Sequence, residues 1–100
     1  MNTTFKEENN DFVMYFEGRL DTAAAPQAEK DIQPLLATSG QNIVLDCNAL
    51  EYISSSGLRL FLTVLKCAKA KGGHVFITGM NNDIRNVFAM TGFTNLFEFR

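Results

Sequence analysis

The residues whose types and spacing could do chemistry are Ser54-Ser55-Ser56, followed at once by Gly57. The three hydroxyls stand where a mostly β-branched run, Ile43-Val44-Leu45, gives way to a helical pattern of Leu58, Phe61, Leu62, Leu65 and Ala68. A serine at such a junction can cap the helix. It can also seat a phosphate, because a helix N-terminus carries unpaired N–H groups and the positive end of the dipole. A nucleophilic serine is a third chemistry, and the sequence argues against it. The nucleophile elbow is Gly-x-Ser-x-Gly, and no glycine lies two residues before a serine at this turn. The one imidazole, His74, opens a strand instead of following a late one. One His with two separated cysteines, Cys47 and Cys67, makes no metal site, and no Gly-rich phosphate loop or dinucleotide fingerprint is present. These absences point away from an enzyme and to no cofactor.

The elements that must position the serines can be read outward from them. Residues 3–8 form a weak strand, Asn9-Asn10-Asp11 a turn, and Phe12–Phe16 a strong strand whose near-continuous apolarity suits a central position or cover on both faces. Gly18–Thr22 ends that strand and opens a helix, with Asp21 or Thr22 as N-cap and Pro26 in the first turn. Ala28, Ile32, Leu35 and Leu36 make its inner stripe, and Pro34 predicts a kink or an early end. A strand over Asn42–Asp46 and a connecting loop over Asn48–Tyr52 lead to the central helix, Ser55 to Ala70, stopped by Gly72-Gly73. A short strand follows at His74–Thr78. The third helix is capped by Asn81, turns Ile84, Val87, Phe88 and Thr91 inward, and ends at Gly92; Leu96–Phe99 is a last short strand. The order β-β-α-β-α-β-α-β predicts one small α/β domain over residues 1–100, with a mixed, mostly parallel sheet opened by an antiparallel hairpin.

Composition agrees and excludes other classes. An apolar fraction of 46% suits a folded domain, and a net charge of −2 gives no electrostatic footprint for nucleic acid or an anionic membrane. No stretch approaches a membrane span and the N-terminus lacks the apolar run of a signal peptide, so a cytoplasmic location is the default. Cys47 and Cys67 then read as buried, reduced thiols. On the central helix, Arg59, Thr63, Lys66 and Ala70 share a narrow polar stripe. Leu58, Leu62 and Leu65 flank it on one side, and Leu60, Val64 and Cys67 on the other. Neighbouring helices covering both flanks is the preferred account; the alternative is that Leu60 and Val64 stay exposed and bind a partner.

Three blocks now line up along nearly the whole chain: Gly18-Arg19-Leu20-Asp21-Thr22-Ala23, Leu50 to Leu58, and Asn81 to Phe93. In this order they resemble STAS domains, specifically the small bacterial anti-sigma factor antagonists. The first is similar to the family's Gly-x-Leu-Asp segment and the second to its central Asp-Ser-Ser-Gly-Leu motif. The third resembles its closing helix block, which ends in Gly plus an apolar residue, here Gly92-Phe93. The resemblance implies a protein-binding switch in transcription regulation. The unphosphorylated form binds an anti-sigma factor that is also a serine kinase, which frees the sigma factor. Phosphorylation of the serine before the motif glycine ends the interaction, and a serine phosphatase restores it. Carried over by position, the acceptor is Ser56, with Ser55 as second choice. The partner surface is Asp21, Ser54, Ser55, Ser56, Gly57, Leu58, Arg59 and Leu60. Two features depart from the pattern. Ser54 stands where the family has Asp, and the chain stops after Phe99-Arg100 where relatives often continue into a last helix. The second departure leaves apolar surface for a weak homodimer or another protein. The competing expectation is a STAS interaction module that is never phosphorylated, serving as a subunit of a larger regulatory or transport assembly.

Overall fold

The computed structural model describes residues 1–100. β1 (Asn2–Glu8) and β2 (Asp11–Leu20) form the expected hairpin, antiparallel and in register from Asn2↔Glu17 to Glu8↔Asp11. Asn9 and Asn10 make its two-residue turn, both at positive φ (52° and 68°), which asparagine tolerates better than other non-glycine residues. β3 (Ile43–Ile53), β4 (Val75–Thr78) and β5 (Glu98–Phe99) then add in parallel, each beside its predecessor, so the sheet order is β1-β2-β3-β4-β5. Between them come α1 (Ala25–Asp31), α2 (Gln33–Leu36), α3 (Ser55–Ala70) and α4 (Asn82–Thr91), with a single 3-10 turn at Phe93–Asn95 before β5.

A sheet wound in one direction by right-handed crossovers collects its helices on one face. The burial follows that rule. The paired row Met14, Leu45 and Ile77 belongs to one apolar core with Ile32, Phe61 and Phe88 from the helices. The next row, Val13, Val44 and Phe76, points to the other face and stays outside that core. There Arg100 stacks its guanidinium 3.9 Å from the Phe76 ring and reaches Asp11 at 3.7 Å. β2 is therefore central in the sheet but covered by helices on one side only. Inside the core, Phe61 of α3 sits between Phe16 of β2 and Phe88 of α4, with ring centroids 5.2 and 6.3 Å apart. No helix is long and apolar enough to cross a membrane.

Five expectations are corrected. β2 does not end near Gly18 but continues to Leu20, and β3 does not end at Asp46 but runs on through the predicted loop to Ile53. The reason is two bulges, each placing one extra β3 residue against β2, between Tyr15/Glu17 and Gly18/Arg19. They make burial recur every third residue, at Cys47, Leu50 and Ile53, a period that signals neither strand nor helix. Asp46 holds the first bulge: its Oδ1 accepts from the N–H and the side-chain amide of Asn48, both at 3.0 Å.

The first helix begins at Ala25, not directly after Asp21 or Thr22, because Pro26 fits only its opening turn; Ala24 is the N-cap residue and makes no side-chain cap bond. That helix breaks at Ile32, two residues before Pro34, as a missing N–H demands, and resumes as α2 with the proline in its first turn. In α4, Ile84 and Phe88 are buried and Val87 half-buried, whereas Thr91 is exposed and donates its hydroxyl to Val87 O at 2.8 Å. The terminal strand is cut to Glu98–Phe99 by the turn before it.

Candidate functional site

The carboxyl ends of β2 and β3 lie side by side, with Leu20 paired to Ile53. Ser54 extends that pairing: its N–H donates to Leu20 O at 2.9 Å. Its backbone is still extended (φ −90°, ψ 172°), and its side chain turns into the start of α3, where Oγ accepts from Gly57 N–H at 3.2 Å. Ser54 is 7% exposed, so its hydroxyl is committed to the cap. A serine and an aspartate are comparable N-caps, so the departure at this position keeps the cap and removes one negative charge from the helix start. Ser55 and Ser56 occupy the first two helical positions, where backbone N–H groups have no acceptor within the helix. Ser55 is exposed and Ser56 half-buried.

Gly57 explains how the helix can start so close to the sheet. A Cβ there would lie 2.7 Å from Leu20 Cγ and 2.8 Å from Ile53 Cγ1, inside van der Waals contact. Leu58 (3% exposed) and Leu60 (9% exposed) are buried, and Val64 is fully so. The neighbouring elements thus cover both flanks of α3, and the picture of Leu60 and Val64 as an exposed docking face is set aside. Of the residues expected at a partner surface, Ser54, Gly57, Leu58 and Leu60 build the rim from beneath, and Ser55, Ser56 and Arg59 present it. Asp21 is half-buried; its Oδ1 accepts from Ala24 N–H at 2.9 Å, which fixes the turn that carries Thr22 beside the serines.

The presented residues line an open groove of about 430 Å³ between α1 and α3. Thr22, Ala25, Pro26 and Glu29 form one wall, and Ser56, Arg59, Leu60 and Thr63 the other. Neither ion pair of the molecule involves Arg59; these are His74–Glu98 and Arg100–Asp11. Glu29 had no individual signal in the sequence, and nothing there marked Thr22 or Thr63 as neighbours of Ser56, since only the packing of α1 on α3 brings them to it. On the other side of Ser54 the rim continues to α4. Asn81 Oδ1 accepts from Ile84 N–H at 2.9 Å, capping α4, and its amide reaches the Leu50 and Glu51 carbonyls at 3.4 and 3.3 Å. Tyr52, over which Arg19 stacks at 4.5 Å, forms a smaller apolar groove with Ile53, Asp83, Ile84 and Val87.

The hydrolase arrangement is not made. His74 precedes β4 at the amino end of the parallel strands, 2.9 Å from Glu98, whereas Ser56 follows the carboxyl end of β3. Cys47 is buried, and desolvation, with Asp46 adding to it, pushes its thiol well above the ordinary 9.0. Cys67 is half-buried, with Sγ 3.3 Å from Leu36 O.

The model of the STAS domain matches residues 2–100. The chain belongs to the STAS domain family. A protein of Bordetella bronchiseptica, BtrV, provisionally named an anti-sigma factor antagonist, is 29% identical over 97% of this chain and 84% of its own length. The anti-sigma-B factor antagonist of Bacillus subtilis is 24% identical over 98% of this chain and 89% of its own. Among solved structures, the phosphorylated form of the Bacillus cell fate determinant SpoIIAA superposes with a TM-score of 0.73. It covers 99% of this chain and 91% of SpoIIAA at 20% identity, a likeness of fold. Within that fold the rim described above is where the helices and strands of this STAS domain converge.

Proposed function

We propose that this STAS domain is an anti-sigma factor antagonist: a cytoplasmic protein-binding switch, not an enzyme. Its unphosphorylated form docks through the rim of Asp21, Ser55, Ser56 and Arg59 on an anti-sigma factor with serine kinase activity, and a sigma factor is released. The kinase then transfers the γ-phosphoryl group of ATP to Ser56 Oγ. A P–O bond to the serine forms as the bond to ADP breaks, and the hydroxyl proton passes to the kinase. A serine phosphatase reverses the step. The names of the two relatives support the partner class.

The observation that carries the reading is the division of labour at the start of α3. Ser54 Oγ is consumed by the cap, while Ser56 stands at the mouth of an open groove with its hydroxyl free for transfer. A phosphate brings about two negative charges into that groove beside Glu29, enough to repel a docked surface without unfolding the domain. Weak self-association belongs to the same proposal, through Leu96 and Phe99, both exposed beside β5.

The test is incubation with the cognate anti-sigma factor and ATP, followed by mass spectrometry of the intact chain and its peptides. One phosphoryl group is expected on Ser56, none on the Ser56→Ala variant, and loss of co-elution after transfer. Incorporation that persists in Ser56→Ala would move the acceptor to Ser55. Stable binding with no incorporation would favour the unphosphorylated module instead.

A further inference from the structure

We propose that Arg59 is the internal receptor for the phosphoryl group on Ser56, closing a phosphate–guanidinium pair across one turn of α3. The inference rests on the proposed acceptor role of Ser56 and extends it to what the modified state looks like. Three observations converge. Arg59 is three residues after Ser56 on the same helix, the spacing at which side chains meet. A helical side chain leans back over the turn before its own Cα, so the Arg59 guanidinium leans toward Ser56 and not away from it. The guanidinium is also uncommitted: it is exposed, takes part in neither ion pair, and is the only cation lining the groove. The one anion lining the groove with it is Glu29 on α1; Asp21, just after β2, is outside that lining and its carboxylate already holds the Ala24 N–H.

Guanidinium matches phosphate geometrically, with two parallel N–H donors for two oxygens. Pairing therefore changes the rim twice. It adds the phosphate's charge, and it withdraws the one cation of the groove that an acidic group of a partner could meet there. The phosphorylated state is thus a defined conformation of the groove, and not only an obstacle placed in it.

The test installs phosphoserine at position 56 during translation, so that no kinase is involved, and follows the second ionisation of the phosphate by phosphorus NMR. An adjacent cation favours the dianion, so the pKa is expected below the usual value of about 6. In Arg59→Gln it should rise by roughly 0.5 to 1 unit. Lys66→Gln removes a charge from the same polar stripe about 10 Å further along the helix and should leave the value unchanged. Equal values for Arg59→Gln and the unsubstituted chain overturn the pairing, as do equal shifts for the two variants, which would mean a long-range charge effect. Because the phosphate is placed genetically, a negative kinase assay defeats the proposed acceptor role without touching this readout. A negative titration in a chain that the kinase does modify defeats the pairing alone.

Discussion

Ser54 and Ser56 lie two positions apart: Ser54 caps α3, Ser56 is the proposed acceptor, and substitutions should separate the two. Ser54→Ala removes the cap on α3 and is expected to cost about 1 kcal/mol in denaturant unfolding. Ser54→Asp keeps a cap and should restore that loss, which would show that stability does not explain the serine here. Gly57→Ala should destabilise by roughly 1–2 kcal/mol, since crowding against Leu20 and Ile53 outweighs the modest gain in helix propensity. A variant as stable as the parent would mean that the α3 start can shift away from the sheet.

Cys47 gives a pH signature. Its folded pKa lies above its unfolded value of about 9, so at higher pH only the unfolded chain loses the proton. Its contribution is fully present below about pH 9, and stability should fall above it by about 1.4 kcal/mol per pH unit from this group. Cys47→Ala should flatten that slope. At this scale the sequence made the cap legible, because a serine at a helix start is a natural N-cap, whereas the acceptor role proposed for Ser56 came from the family resemblance and not from residue type. Burial of Leu60 and Val64 could not be told from exposure, since a leucine on a helix flank looks the same whether or not a neighbour covers it.

Elements were legible where one period ruled. α3 and α4 begin and end where their caps and glycines predict, at Ser55–Ala70 and Asn82–Thr91, and Pro34 announced the break in the first helix. β3 was half legible. Its first residues are a continuous apolar run, but after the first bulge the buried side recurs every third residue, so the stretch that delivers the chain to Ser54 passed for a loop. The same limit hid the groove, because no local pattern says that α1 lies against α3. Asn81 does more than its cap signal implied, since its amide ties α4 to the end of β3. Asn81→Ala should therefore cost about 1–2 kcal/mol, at the upper end for a cap, and loosen amide exchange at Ile84. Asn81→Ser, which keeps a cap oxygen but loses the amide, should recover only part of that cost.

For the molecule as a whole, order along the chain and order across the sheet are the same. The alternation of strands and helices marked the class and the Asn9-Asn10-Asp11 turn the antiparallel hairpin, while the order across the sheet is visible only in the structure. Every strand after the first adds beside the one made just before it, and none is inserted between strands already paired. A chain leaving a ribosome can therefore extend its sheet at one growing edge, with no partner still to be synthesised for the strands behind it. Protection from protease should appear in arrested chains once α3 and Gly73 have emerged, because α2 and α3 then cover the core face of β2 and β3. Protection that waited for Phe99 would show that the two edges fold as one unit. On the expected outcome, the rim bearing Ser56 is the first part of the protein to take shape, before β4 and β5 exist.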